Sequence, residues 1–261
     1  MLIEAHARLL DSLISQHGLE VVAETIKQAS YTRVGMTSAG EETYAALGTS
    51  RFGGNPDIPI DCSWLDRIDG MVFVFQVCLS DLNWSASLGL PETGVLYVFS
   101  DQEADSASTF YFPGTPDQLT RHRMPAPEPD YHFSNMKCFR LKASLGIDLP
   151  EYGSDEFYEI EDAGLDEKYE IFLSQLQLLT PNGESYCQLA GRYADINGDL
   201  RKKAAEAGGG IAQDWRSLWK VFSSYESGLV ISDFHVLHGM IKDQDLRSRN
   251  FSNVYSVRDL A

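Results

Sequence analysis

Apolar residues fall at helical spacing over residues 2–29. Leu2, Leu9, Leu10, Leu13 and Ile14 share one face, Gly18 interrupts it, and Val21, Val22 and Ile26 resume it in a second short helix. The period then changes. Residues 31–49 are polar, with glycines at 35, 40 and 48, and predict a connection with one helical turn around Glu41–Leu47. Continuous apolar runs follow. Met71–Leu79 reads as a buried strand, Gly94–Phe99 as a second and Ser108–Pro113 as a third. A polar stretch at 80–93 separates the first two and ends in the turn chemistry of Leu88–Gly94.

The pattern is less regular further on. Phe133–Leu141 predicts another strand, behind the proline series Pro125, Pro127 and Pro129. A helix is expected over about Leu165–Leu179, ended by Pro181-Asn182-Gly183. A short charged helix is expected at Leu200–Ala207, and Gly208–Gly210 reads as a hinge or flexible loop. Trp215–Ser223 fits either an amphipathic helix or a buried strand. Phe234–Ile241 and Asn253–Val257 read as strands, with a helical turn at Gln244–Arg249 between them.

One segment stands apart. Ser50–Pro59, Ser-Arg-Phe-Gly-Gly-Asn-Pro-Asp-Ile-Pro, holds two glycines and two prolines in ten residues. Proline donates no hydrogen bond and glycine is entropically costly in regular elements, so a shaped loop is expected rather than a helix or a central strand. Arg51, Asn55, Asp57, Trp64 and Gln76 are the candidate binding residues, lining a groove beside this loop. The competing reading is that Gln76 only satisfies backbone groups at a strand end.

The order of events recurs along the chain. Phe52-Gly-Gly-Asn-Pro-Asp57, Phe73–Leu79 and Val95–Phe99 correspond to Leu189-Ala-Gly-Arg-Tyr-Ala-Asp195, Leu218–Phe222 and Val236–Ile241. Several blocks resemble the YwqG-like family, a bacterial group of unassigned function. They are Arg51–Pro59 with Trp64, Phe75-Gln76-Val77 with Asp81-Leu82, and Leu90-Pro91 with Gly94–Phe99. A C-terminal block running from Asp233 through Ile241, Asp245 and Phe251 to Val254 completes the likeness. The chain departs from the family at Cys187–Asn197, where the family's histidine, second proline and glutamine are replaced, and at Ile231–His235. The resemblance implies an α+β fold with predominantly antiparallel β-sheet, an internal duplication and an N-terminal helical segment, and no known reaction. We read residues 1–261 as one domain of two similar halves, about 1–145 and 146–261.

Charge narrows the classes of partner. The 261 residues carry 38 acidic and 21 basic side chains, a formal net charge of −17. Such a field repels phosphate backbones and anionic lipid, so neither nucleic acid nor membrane is expected as a partner. The imbalance is concentrated. Residues 121–142 hold Arg121, Arg123, Lys137, Arg140 and Lys142, whereas Asp148–Glu170 is strongly acidic and carries one lysine, Lys168. The acidic run can cradle the basic segment, receive a basic partner, or simply face solvent. The N-terminus lacks a signal-peptide pattern and no apolar run is long enough to span a bilayer, so a cytoplasmic location with reduced thiols is expected.

Residue types for chemistry are present without a signature. Cys62 or Cys187 with His122, His132, His235 or His238 supplies the types of a thiol nucleophile and base, but no spacing joins them. His235 and His238 stand three apart on a strand-like run, which points them to opposite faces. Asp195, Asn197, Asp199 and Glu206 match positions 1, 3, 5 and 12 of a calcium loop. Leu200 stands where that loop needs glycine, so a turn capped by Asp199 is the better reading. No nucleotide-binding glycine motif occurs, and no cofactor or metal is expected. The leading expectation is a non-enzymatic acidic module that binds a basic protein. The alternatives are an enzyme with a cleft between the halves and a calcium-modulated structural protein.

Overall fold

A computed structural model describes residues 2–180, 185–193, 198–232 and 235–259. The chain opens with α1 (Glu4–His17) and α2 (Ala23–Gln28), separated by Gly18, whose left-handed conformation ends α1. The strands are β1 (Tyr31–Glu41), β2 (Arg51–Phe52), β3 (Asp57–Pro59), β4 (Val72–Cys78), β5 (Val95–Ser100), β6 (Ala107–Phe112), β7 (Leu119–Arg121) and β8 (Phe139–Asp148). Next come α3 (Asp155–Asp162), α4 (Asp166–Leu179), β9 (Cys187–Ala190), α5 (Leu200–Gly208), β10 (Trp215–Val221), β11 (Val236–Lys242), α6 (Asp243–Arg247) and β12 (Tyr255–Asp259). The fold is α+β and antiparallel, as expected.

Ten strands form one sheet in the order β12-β11-β10-β9-β1-β8-β2-β4-β5-β6, and β3 pairs with β7 alone. The order reads alike in both directions from the central β1–β8 pair. Register repeats too: Arg51 and Phe52 pair with Gln76 and Phe75, while Gln188 and Leu189 pair with Lys220 and Trp219. Each half also carries one bulge at the corresponding place, Val74 in β4 and Leu218 in β10. A bulge shifts the side-chain alternation by one residue. It lets Val74 and Phe75, like Leu218 and Trp219, all join the inner core. It also turns Gln76 and Lys220 to the outer face.

The sheet curls until its edges meet. Ser256 of β12 accepts a hydrogen bond from Ala107 N of β6 at 2.7 Å and donates to Ala107 O at 2.9 Å. Inside this nearly closed barrel, Trp219 Nε1 donates to Thr109 Oγ1 across the interior at 2.9 Å. Closure covers edges that would otherwise invite further pairing. Outside it, Trp64, Tyr97, Phe99 and Phe110 pack over one half, and Tyr193, Leu200, Trp215 and Met240 pack over the other. Helices α1 to α4 form their own core, anchored by Ile147 and Leu149 at the end of β8.

Four expectations are corrected. Residues 31–41 are not a connection but the longest strand, at the centre of the sheet. Val34 and Met36 face the core, and the polar alternates face outward. No helical turn forms at Glu41–Leu47. Arg51–Phe52 is a central strand, short enough to finish before the glycines begin. The strand expected at Phe133–Leu141 starts at Phe139 and runs to Asp148. Trp215–Val221 resolves as strand, with no helix there. The helix end expected at Pro181-Asn182-Gly183 lies outside the described residues.

Candidate functional site

The loop after β2 is built around a buried carboxylate. Gly54 has φ +76, and a Cβ there would lie 2.3 Å from Tyr44 Oη and 2.4 Å from Cys138 Sγ, so only glycine fits. The chain then turns inward and buries Asp57 completely beside fully buried Arg51 and Gln76. Arg51 Nη2 lies 3.0 Å from Asp57 Oδ2, and Arg121 Nε donates to Asp57 Oδ1 at 2.7 Å. Gly48 N also donates to Asp57 Oδ2, at 2.9 Å. Gln76 accepts from Asp57 N at 2.8 Å and donates to Thr49 O at 2.8 Å. The remaining donors of Arg51 reach Glu42 Oε2 at 2.9 Å, Asn55 O at 2.7 Å and Thr49 Oγ1 at 3.1 Å. Tyr44 lies against both guanidinium groups, 5.0 Å from Arg51 and 4.4 Å from Arg121.

Electrostatics follow from this pairing. Burial alone pushes the Asp57 carboxyl up, but the bonds from Arg121 and Arg51 outweigh it and hold the group below the usual carboxylate range. Glu42 behaves alike: burial raises it, and Arg51 brings it below its ordinary value. Arg51 is held above its ordinary value, because Asp57 and Glu42 overcome the cost of burial.

Four of the five sequence candidates, Arg51, Asn55, Asp57 and Gln76, thus meet in one network. Its polar atoms are spent on one another and on the backbone, so the network shapes a loop. The fifth, Trp64, goes elsewhere. It stacks on Phe110 at 4.4 Å between ring centres and caps the outer core beside Tyr97 and Phe99. Sequence reading missed Glu42, Tyr44 and Arg121, which lie in stretches read as a connection and as a locally basic segment.

The corresponding place in the other half is built differently. Asp148, at the end of β8, accepts from Arg33 Nε at 2.7 Å, Gln188 Nε2 at 2.9 Å and Arg192 N at 2.9 Å. The Lys220 ammonium stands 4.0 Å away. Gly191, at φ +95, leaves room for this cluster, since a Cβ would meet Asp148 Oδ2 at 2.3 Å. Asp148 and Arg33 also line a cleft of 590 Å³ between the end of β8 and α4, with Glu151, Tyr152, Glu170 and Gln177.

The other candidates divide. Asp199 caps α5 by accepting from Arg201 N at 2.9 Å and binds the Arg201 guanidinium at 2.8 Å. Burial pushes the Asp199 carboxyl up, but the bond from Arg201 brings it below its ordinary value. A carboxylate so engaged is a poor calcium ligand. Glu206 is exposed, and Asp195 and Asn197 lie outside the described residues. Among the described residues no cluster of three or more His, Cys, Asp or Glu side chains has the arrangement of a metal site. Burial pushes the Cys62 and Cys187 thiols up, opposite to what a nucleophile requires. His238 is fully buried and His235 half-buried. No helix among the described residues is long and apolar enough to cross a membrane.

With this geometry in view, the chain matches one family, a domain of unknown function (DUF1963), over residues 50–259. The YwqG-like resemblance is consistent with that match. No curated protein matches the chain.

Proposed function

The chain belongs to the DUF1963 family, and from that premise we propose that it is a binding module that engages a basic segment of a partner protein. The observation that carries this reading is the acidic cleft at α4. Its lining holds Asp148, Glu151 and Glu170 against a single cation, Arg33. Apolar side chains share the lining: Tyr152, 77% exposed, and half-buried Leu173. Acidic groups beside exposed apolar surface give a lysine or arginine both a carboxylate and a place for its methylene stem. The ion pairs of the acidic run support the same reading. Asp148 goes to Arg33 and Glu156 to Arg192, while Arg121 of the basic segment goes to Asp57. Exposed Glu159, Glu161, Glu167 and Glu170 add a field that steers a cation toward this face.

The test is binding of a fluorescent octalysine peptide by anisotropy at several salt concentrations. Glu151→Gln/Glu170→Gln should weaken binding about tenfold and flatten its salt dependence. A control, Asp61→Asn/Glu92→Gln, removes the same charge at exposed positions elsewhere and should leave affinity nearly unchanged. Equal losses in both variants would mean that only net charge attracts the peptide, and would overturn the assignment of the cleft.

A further inference from the structure

The sheet has a strand-wide gap. β9 is 4 residues long between β1 with 11 and β10 with 7. It pairs with β1 over Arg33–Met36 and with β10 over Trp219–Val221. Ala190 at φ 56 and Gly191 at φ 95 then turn the chain out of the sheet. Among the described residues, no strand stands between Tyr31–Thr32 and Trp215–Leu218. The opening is a pocket of 380 Å³ whose lining includes Tyr31, Tyr193, Trp215, Ser217, Arg216 and the Asp243 carboxylate paired with it.

Two donors there make no hydrogen bond. The Ser217 hydroxyl is buried without a hydrogen-bond partner, although the residue is only 3% exposed. The Arg216 guanidinium is held only by a long ion pair to Asp243, at 3.7 Å and beyond hydrogen-bonding distance, with its side chain 23% exposed. The other two lining cations are already engaged. Lys27 lies 2.5 Å from Asp11, and Arg201 binds Asp199 at 2.8 Å while stacking 3.8 Å from the Tyr193 ring centre. Tyr31 and Tyr193 meet edge to face at 6.0 Å and form an aromatic wall.

The other half shows what a closed version of this gap looks like. There β2 has 2 residues before the chain leaves the sheet. In register, Val72 and Phe73 stand where Arg216 and Ser217 do, and Met136 lies beside them. With Phe133 and Pro125 they line an apolar hollow of 190 Å³. Apolar side chains are a workable filling for such a gap, and burying an unpaired polar group is costly. The polar filling of the second gap therefore calls for a partner.

We propose that the gap between β1 and β10 binds a small organic anion with a planar or apolar body. Arg216 and the Ser217 hydroxyl, which strand alternation turns to opposite faces of the sheet, hold its carboxylate or phosphate group from the two sides of the gap, a fork and a hydroxyl suited to either. The body lies against Tyr31, Tyr193 and Trp215. This site is separate from the acidic cleft and stands or falls without it.

The experiment uses benzoate and phenyl phosphate as probes, by calorimetric titration and thermal unfolding at constant ionic strength against chloride. At least one probe should bind at least tenfold more tightly than inorganic phosphate, and the tighter of the two identifies the anionic group. Arg216→Ala and Ser217→Ala should each weaken that binding about tenfold. Ser217→Ala removes an unpartnered hydroxyl, so it keeps the test valid if the arginine variant unfolds. Binding no tighter than that of inorganic phosphate for both probes would overturn the proposal. So would undiminished affinity in a folded Arg216→Ala or Ser217→Ala protein.

Discussion

The β2–β4–β5–β6 half of the sheet and the β9–β10–β11–β12 half repeat one backbone with different side chains. Both use a short inner strand, a positive-φ exit, and a bulge at the same place in the next strand. On the outer face, Arg51, Gln76 and Tyr97 of the first half match Gln188, Lys220 and His238 of the second by register. The first set is saturated by Glu42, Asp57 and Arg121. In the second set Gln188 and Lys220 share Asp148, which opens toward a cleft. The gaps beside the short strands diverge in the same sense, one apolar and one polar. The sheet needs both frames intact to close. It does not need both interiors free for binding, so one half is closed and internally paired while the other keeps unspent polar groups.

Breaking the saturated network should have the largest effect. Asp57→Ala leaves fully buried Arg51 with Glu42 alone and takes the carboxylate from Arg121, and should cost about 3–5 kcal/mol, read from urea unfolding. Asp148→Ala should cost less, about 1.5–3 kcal/mol, because Arg33 keeps 18% of its side chain in solvent. Equal costs would mean that the two clusters do the same structural work.

The gaps offer a second contrast. Phe73 is 1% exposed, and Phe73→Ala should cost about 3–5 kcal/mol by opening a cavity. Ser217→Ala, at the equivalent position, should change stability by less than about 1 kcal/mol without a ligand, because no hydrogen bond is lost. A large loss in Ser217→Ala would show that its hydroxyl serves the fold.

The smallest effect at neutral pH concerns acid. Asp57 and Glu42 titrate below their ordinary values of 3.8 and 4.5 when folded. Their stabilisation is complete above those values and is lost as pH falls through the lowered ones. Unfolding midpoints should therefore drop below pH 4.5, and Asp57→Asn should drop less steeply over that range. A variant with an unchanged acid limb would remove Asp57 from the titration.

Local pattern carried much of the fold. The helical periods of α1, α2 and α4, the apolar runs of β4 and β5, and the cap at Asp199 all rest on interactions within a few residues, which sequence order contains. The glycine pair after Phe52 marked the loop, and four of its five candidates lie together. What sequence could not supply was the partner of each polar group. Arg51 reads as a groove-lining binding residue until Glu42, Asp57 and Arg121 are placed around it. β1 reads as a connection until β8 and β9 are set on either side. The gap between β1 and β10 belongs to no segment at all. Such features arise where residues far apart in the chain share a dielectric and a volume, and only the closed barrel brings them together.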